Sequence, residues 1–266
     1  MENKIEYKEA QAANPDKRRR FLKLSGWVAA VFIFIIALGA TIADSKERLC
    51  NNVYIKIDHE NGLFFLNEED IHASLFSFYN QDLKGALMRS VDFADIEEKL
   101  EAIPFIQSAE IYTGMQGSVH VDVQQRQPLV RIVNNLGVSY YLDVNGEKMP
   151  LSSKFTARVV VATGSIENSD TSDVLSSLLK LCRYVSEDEF WKAQFEQINV
   201  TESGEFELIP KLGNHIIRFG KMEEMESKLH KLMIFYKEVL KNFDAEDYRI
   251  INLKFNDQIV CTKNTF

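Results

Sequence analysis

The stretch DFADIEEKLEAIPFIQSAEI, Asp92–Ile111, joins a helix to a strand across one proline. Asp92 is a helix-capping residue type set just before an apolar rhythm. Phe93, Ile96, Leu100 and Ile103 recur at steps of three, four and three, so they share one helical face. Pro104 cannot continue that helix. Beyond it, Ser108–Thr113 and Val119–Gln125 read as strands around the hairpin-like connection Gly114-Met115-Gln116-Gly117. Val119, Val121 and Val123 alternate with His120, Asp122 and Gln124, which predicts one buried and one wet face. Upstream, Val53, Ile55 and Ile57 alternate as a strand should, and Asn67 with Asp70 marks a helix start before Ile71, Leu75 and Phe78. The order strand, helix, helix, strand, strand predicts a small α+β unit with its helices on one face of a sheet.

On the N-terminal side lies LSGWVAAVFIFIIALGATIA, Leu24–Ala43, in which sixteen of 20 residues are apolar and none is charged. As a helix it would span roughly 30 Å, the thickness of a bilayer's hydrocarbon core. Residues 1–23 carry seven Lys/Arg and four Asp/Glu, whereas residues 44–266 carry 24 and 35. Lys17, Arg18, Arg19, Arg20 and Lys23 therefore predict a cytoplasmic tail, a single transmembrane helix and an exported domain. The competing possibility is a cleaved signal peptide with Trp27–Leu38 as its apolar region. A lipoprotein fits poorly, because Glu47-Arg48-Leu49 precedes Cys50.

On the C-terminal side, Val138–Asp143 leads into a turn at Asn145-Gly146, and Arg158–Ala162 is a β-branched run. Asp173 and Ser186 are the expected caps of two helices. Gln197–Thr201, Glu205–Ile209 and His215–Phe219 read as strands, and Met222–Phe243 as the longest helix. The chain closes with Tyr248–Phe255 and Gln258–Thr262, a strand pair whose last member can lie at a sheet margin and accept a partner strand. It can equally be paired internally or kept solvated.

The 266 residues, with 45% hydrophobic and 26% charged, exclude a disordered chain, and three cysteines exclude a disulfide scaffold. Cys182 and Cys261 read as small apolar core residues. A net charge of −8 argues against nucleic acid as a partner. His59, His72, His120, His215 and His230 form no metal-ligand spacing, and Glu68-Glu69-Asp70 suits a helix N-terminus. No nucleophile or phosphate-binding motif appears, so the expectation is no enzyme, no cofactor, no metal and no small-molecule substrate.

Taken together, these segments resemble the FtsQ/DivIB family of bacterial cell-division proteins. The carriers are the basic tail and apolar stretch, Asp92–Ile111 with Pro104, Phe105 and Ile106, Gln125-Arg126-Gln127-Pro128, and Leu142–Gly146. Phe206–Gly220 followed by the Met222 helix, and Ile251-Asn252-Leu253-Lys254-Phe255, complete the series. The resemblance implies a tail (1–23), a transmembrane helix (24–43), a POTRA domain (51–126), and a mixed α/β domain (127–266). That last domain has an antiparallel-rich sheet ending at a C-terminal edge strand. It also implies a divisome scaffold in the inner membrane at the septum, binding FtsB and FtsL and helping to control septal peptidoglycan synthesis. The implied partner strand lies along Ile251, Leu253, Lys254, Phe255, Gln258, Ile259 and Val260, and the implied recruitment surface around Ser108, Ile111 and Thr113.

Three positions depart from the family pattern. Gln125 stands where the family has Glu, Lys254-Phe255 where it has a basic–tyrosine pair, and Gly204-Glu205 where some relatives place Arg. Partner contacts should then lean on backbone pairing and apolar packing, since Lys lacks the bidentate fork of Arg. An outer-membrane or secretion assembly factor would need tandem POTRA units or many barrel strands. An anchored hydrolase would need a catalytic constellation, and a sensor a larger cytoplasmic part.

Overall fold

In the computed structural model the structure describes residues 49–59, 62–166, 172–239 and 247–264, with Trp27 and 31–36. Among the described residues no helix is long and apolar enough to cross a membrane. Most of Leu24–Ala43, and the tail bearing Lys17, Arg18, Arg19, Arg20 and Lys23, lie outside them. Trp27 and 31–36 are helical, with apolar side chains that are all exposed.

The first unit runs β1 (Asn52–Asp58), α1 (Glu68–Tyr79), α2 (Phe93–Glu101), β2 (Ile106–Thr113) and β3 (Ser118–Gln125). Asp92 accepts from the Asp95 amide at 3.3 Å, and α2 ends before Pro104. Asn67 and Asp70 form the reciprocal capping box at the start of α1, with Glu68 and Glu69 in its first turn. The sheet order is β1-β3-β2, with β1 parallel and β2 antiparallel to β3. Ile71, Ile96, Leu100, Ile106, Val121 and Val123 fill the core between sheet and helices.

The second unit comprises β4 (Pro128–Asn134), β5 (Ser139–Asp143), β6 (Lys148–Met149), β7 (Val160–Gly164), α3 (Ser172–Glu187), α4 (Glu189–Gln194), β8 (Phe195–Val200), β9 (Phe206–Pro210), β10 (Ile216–Gly220), α5 (Met225–Ile234), β11 (Tyr248–Asn252) and β12 (Val260–Lys263). Its nine described strands order as β12-β11-β10-β9-β8-β7-β4-β5-β6. Parallel pairings join β4 to β7, β7 to β8 and β10 to β11; the rest are antiparallel. Leu178, Leu181, Cys182, Trp191, Leu229 and Leu232 pack the helices onto the sheet.

Two expectations are corrected. Ser186 does not cap a helix: α3 runs through it to Glu187, and the following helix is capped by Asp188, which accepts from the Trp191 amide at 3.1 Å. Asp173 likewise lies within the first turn of α3. The helix expected over Met222–Phe243 begins at Met225, because Glu224 sits at φ 54, a left-handed backbone no helix propagates. It passes into a π-helical turn at Phe235–Val239, and residues 240–246 lie outside the described set. The longest described helix is instead α3, 16 residues.

The two units share a core. Tyr141, Met149 and Ala157 of the second are buried with the first unit's residues. Phe65 stacks on Phe105 at 5.2 Å and meets Tyr141 and Phe155 edge-on. The Gln125 side chain fixes the first unit's segment that carries Phe65. Its oxygen accepts from the amides of Phe65 and Leu66, and its NH2 donates to the carbonyls of Asp58 and Leu63. Arg126 then donates to the Ile106 carbonyl and faces the buried Asp143 at 3.8 Å. Standing where the family has Glu, the Gln125 amide supplies two donors that a carboxylate lacks.

Gln125→Glu should destabilise the chain at neutral pH by about 2–4 kcal/mol in urea unfolding, since two buried carbonyls lose their donor and face a charge. The deficit should shrink on acidification, as the protonated carboxyl donates again; a deficit independent of pH would contradict this role. A second joint contact also titrates. Burial acts to raise the Asp70 carboxyl, but the Lys154 ammonium and the Asn67 amide outweigh it and hold it below the usual carboxylate range. Its contribution to stability is therefore present at neutral pH and lost as pH falls below about 4. Asp70→Asn should flatten that part of the stability–pH curve.

Candidate functional site

Of the residues expected to meet a partner, Ile251 lies on β11, Val260 on β12, and Leu253, Lys254, Phe255, Gln258 and Ile259 on the loop that joins them, so neither expected strand reaches as far into that loop as Phe255 or Gln258. Among the described residues β12 pairs only with β11, through Ile250↔Thr262, Ile251↔Cys261 and Asn252↔Val260. The Asn264 amide donates inward to the Asp247 carbonyl. By the period of two along a strand, the amides of Val260 and Thr262 also face inward and those of Ile259 and Cys261 face outward. Val260, Thr262 and Lys263 have exposed side chains.

The loop before β12 is held at both ends. Lys231 of α5 donates its ammonium to the carbonyls of Phe255 and Asn256 at 2.6 and 2.8 Å. Lys254 pairs with Glu205 at 2.8 Å. The Lys254 stem crosses Gly220, which adopts φ 78; a Cβ there would stand 2.9 Å from the Lys254 Cγ. A surface hollow of about 700 Å³ lies beside the loop, lined by Met222, Met225, Asn256 and Asp257 among others.

The expected residues thus divide. Lys254, Phe255, Gln258 and Val260 are exposed, and Ile259 is half-buried against the core. Ile251 and Leu253 are fully buried, so their side chains serve the core and not a surface. The expected recruitment residues lie on β2, an outer strand. Thr113 is exposed, Ser108 is half-buried with its hydroxyl donating to Gln124, and Ile111 is buried. The outward amides of Ala109 and Ile111 are already taken by the carboxylates of Glu101 and Glu97, at 3.2 and 2.6 Å. Helix α2 therefore closes that edge over this stretch.

One apolar row lies outside the residues expected from the sequence. Ile216 and Ile250 are paired on the sheet face opposite Ile217 and Ile251, and Ile209 on β9 extends their row. Ile216 is 40% exposed. The signal was present in the doubled isoleucines Ile216-Ile217 and Ile250-Ile251, which put one residue on each face of a strand. The neighbouring row is polar, with Asn199 donating to Glu207 and Arg218 facing the same carboxylate.

Among the described residues no three His, Cys, Asp or Glu side chains could hold a metal. Burial pushes the Cys182 thiol up to about 12, so it is protonated at neutral pH. Burial also lowers the pKa of Lys228, whose ammonium donates to the Lys221 carbonyl at 2.7 Å.

The fold and edge define a POTRA-like unit joined to a mixed-sheet domain: residues 48–124 match the POTRA-like domain, and residues 127–262 match FtsQ/DivIB, C-terminal related. The cell division protein FtsQ of Geotalea daltonii is 24% identical over 266 residues, covering 96% of this chain and 93% of the relative. Those of Salinibacter ruber and Rhodothermus marinus are each 26% identical, over 66% of this chain and 72% and 67% of the relatives. The chain belongs to the FtsQ/DivIB family of cell-division proteins.

Gly220→Ala should cost about 1–3 kcal/mol, from the positive φ and the displaced Lys254 stem. Hydrogen exchange should show faster opening of the Lys254–Ile259 loop; unchanged protection there would separate the loop from Gly220.

Proposed function

We propose that this chain is a non-catalytic scaffold of the division machinery, anchored by one transmembrane helix in the inner membrane with its C-terminal domain in the periplasm. Through the β11–β12 edge it binds FtsB, and with it FtsL, and so takes part in the control of septal peptidoglycan synthesis. The observation that carries the reading is the margin position of β12, which among the described residues pairs only with β11. A segment of the partner adds there as a further strand, the mode in which backbone bonds give affinity and alternate side chains give specificity. Phe255 and Val260 supply apolar contacts, and Lys254 reaches a partner carboxylate only by leaving Glu205, an exposed pair worth at most about 1 kcal/mol. Exposure of the helical apolar residues Trp27 and 31–36 agrees with a lipid-facing anchor. The surface around Ser108 and Thr113 is proposed for recruitment through side chains, since α2 occupies the β2 amides nearby.

Ile259→Pro removes an outward amide and leaves the inward bonds of β12 to β11. The variant should fold with an unchanged unfolding midpoint and bind the FtsB-type partner roughly tenfold more weakly, about one hydrogen bond. Binding equal to wild type in pull-down and titration would sink the edge assignment.

A further inference from the structure

The chain enters the first unit at one end of its three-stranded sheet. Asn51 donates its backbone amide to the Gly117 carbonyl at 2.8 Å and its side-chain amide to the Gln116 carbonyl at 2.7 Å. The Leu49 carbonyl lies so close to Gly117 that a Cβ there would stand 2.6 Å away. The entry point and the β2–β3 connection are therefore one locked corner. Five residues, 44–48, separate it from the apolar stretch ending at Ala43, a reach of at most about 20 Å.

That corner is apolar and aromatic. Met115 is 89% exposed and Leu49 54%. On the open sheet face, one row beyond Asn52 and Ser118, Tyr54, His120 and Tyr112 stand in register across all the strands, with ring centroids 5.2 Å apart on both sides of His120. Tyr54 and Tyr112 are 54% and 47% exposed. Gly114 makes room for the row: a Cβ there would lie 2.7 Å from the His120 Nε2. The rings stack on one another, at 25° and 6°, so the row turns edges outward instead of offering a flat platform for a sugar. Carboxylates begin only one row farther from the corner, at Glu110 and Asp122, where Tyr112 donates its hydroxyl to Asp122.

We propose that this corner rests on the bilayer surface. Met115 and Leu49 sit in the headgroup layer, and the Tyr54–His120–Tyr112 row forms an interfacial belt of amphipathic rings. The proposal rests on the anchor reading above. The short tether supplies the second argument, because it keeps the point where the chain enters, and with it this corner, within reach of lipid.

The full chain in phospholipid nanodiscs, with acyl chains brominated at shallow or deep positions, tests both claims by tryptophan emission. Trp191 is buried in the core and serves as the constant background. Deep bromines should quench Trp27, which reports the anchor. Met115→Trp should add emission that is blue-shifted and lost to shallow bromines. Leu136→Trp, at a residue 87% exposed on the β4–β5 turn, should add emission that bromines leave intact. If Trp27 is quenched while the Met115→Trp emission stays water-like, the membrane seat is wrong and the anchor stands. Equal quenching at 115 and 136 would also overturn the proposal, and an unquenched Trp27 would overturn the anchor and the seat together.

Discussion

One buried side chain, Gln125, fixes the segment that carries Phe65 against the second unit. The residue ends the last strand of the first sheet, three positions before the second sheet begins at Pro128. A connection that short between two sheets would ordinarily be a hinge. Here it is a joint, because Gln125 ties the β1 end and the Leu63–Leu66 segment together while Phe65 inserts its ring among Phe105, Tyr141 and Phe155. Removing a buried donor from such a network costs more than any one bond contributes, so the joint resists stepwise erosion.

With the joint closed, the two sheets expose edges that are treated differently. The β2 edge is covered by two glutamates reaching round from α2. The far edge of the large sheet ends in β6, only two residues long. Strand β12 has neither protection, and Lys231 and the Lys254–Glu205 pair hold its leading loop in place from behind. Unprotected edges invite pairing with a further strand, which is what makes β12 the candidate for the partner proposed above.

Much of this was legible from local signals. Asp92, Asn67 and Asp70 announced their helices because capping depends on residues within one turn. The 3.6- and 2-residue rhythms placed Ile96, Leu100, Val121 and Val123 inside. Non-local choices were less legible. Ser186 and Asp188 are both good caps, and only the packing of Val185 decides how far α3 runs. Ile251 and Leu253 share a strand face, yet which face the helices cover is settled by the whole sheet. Closure of β2 by Glu97 and Glu101 follows from side chains eight and more residues away, beyond the reach of any periodicity.

A rigid joint has a consequence for encounters. Were the two units linked by a flexible tether, the β12 edge would sample a wide shell of positions and orientations relative to the first unit. Each binding event would then have to remove that freedom. Because Phe65 packs against Tyr141 and Phe155 and Lys154 pairs with Asp70, the β12 edge keeps one heading relative to the point where the chain enters the first unit. A strand arriving at that edge would meet one orientation, with no freedom between the units left to remove.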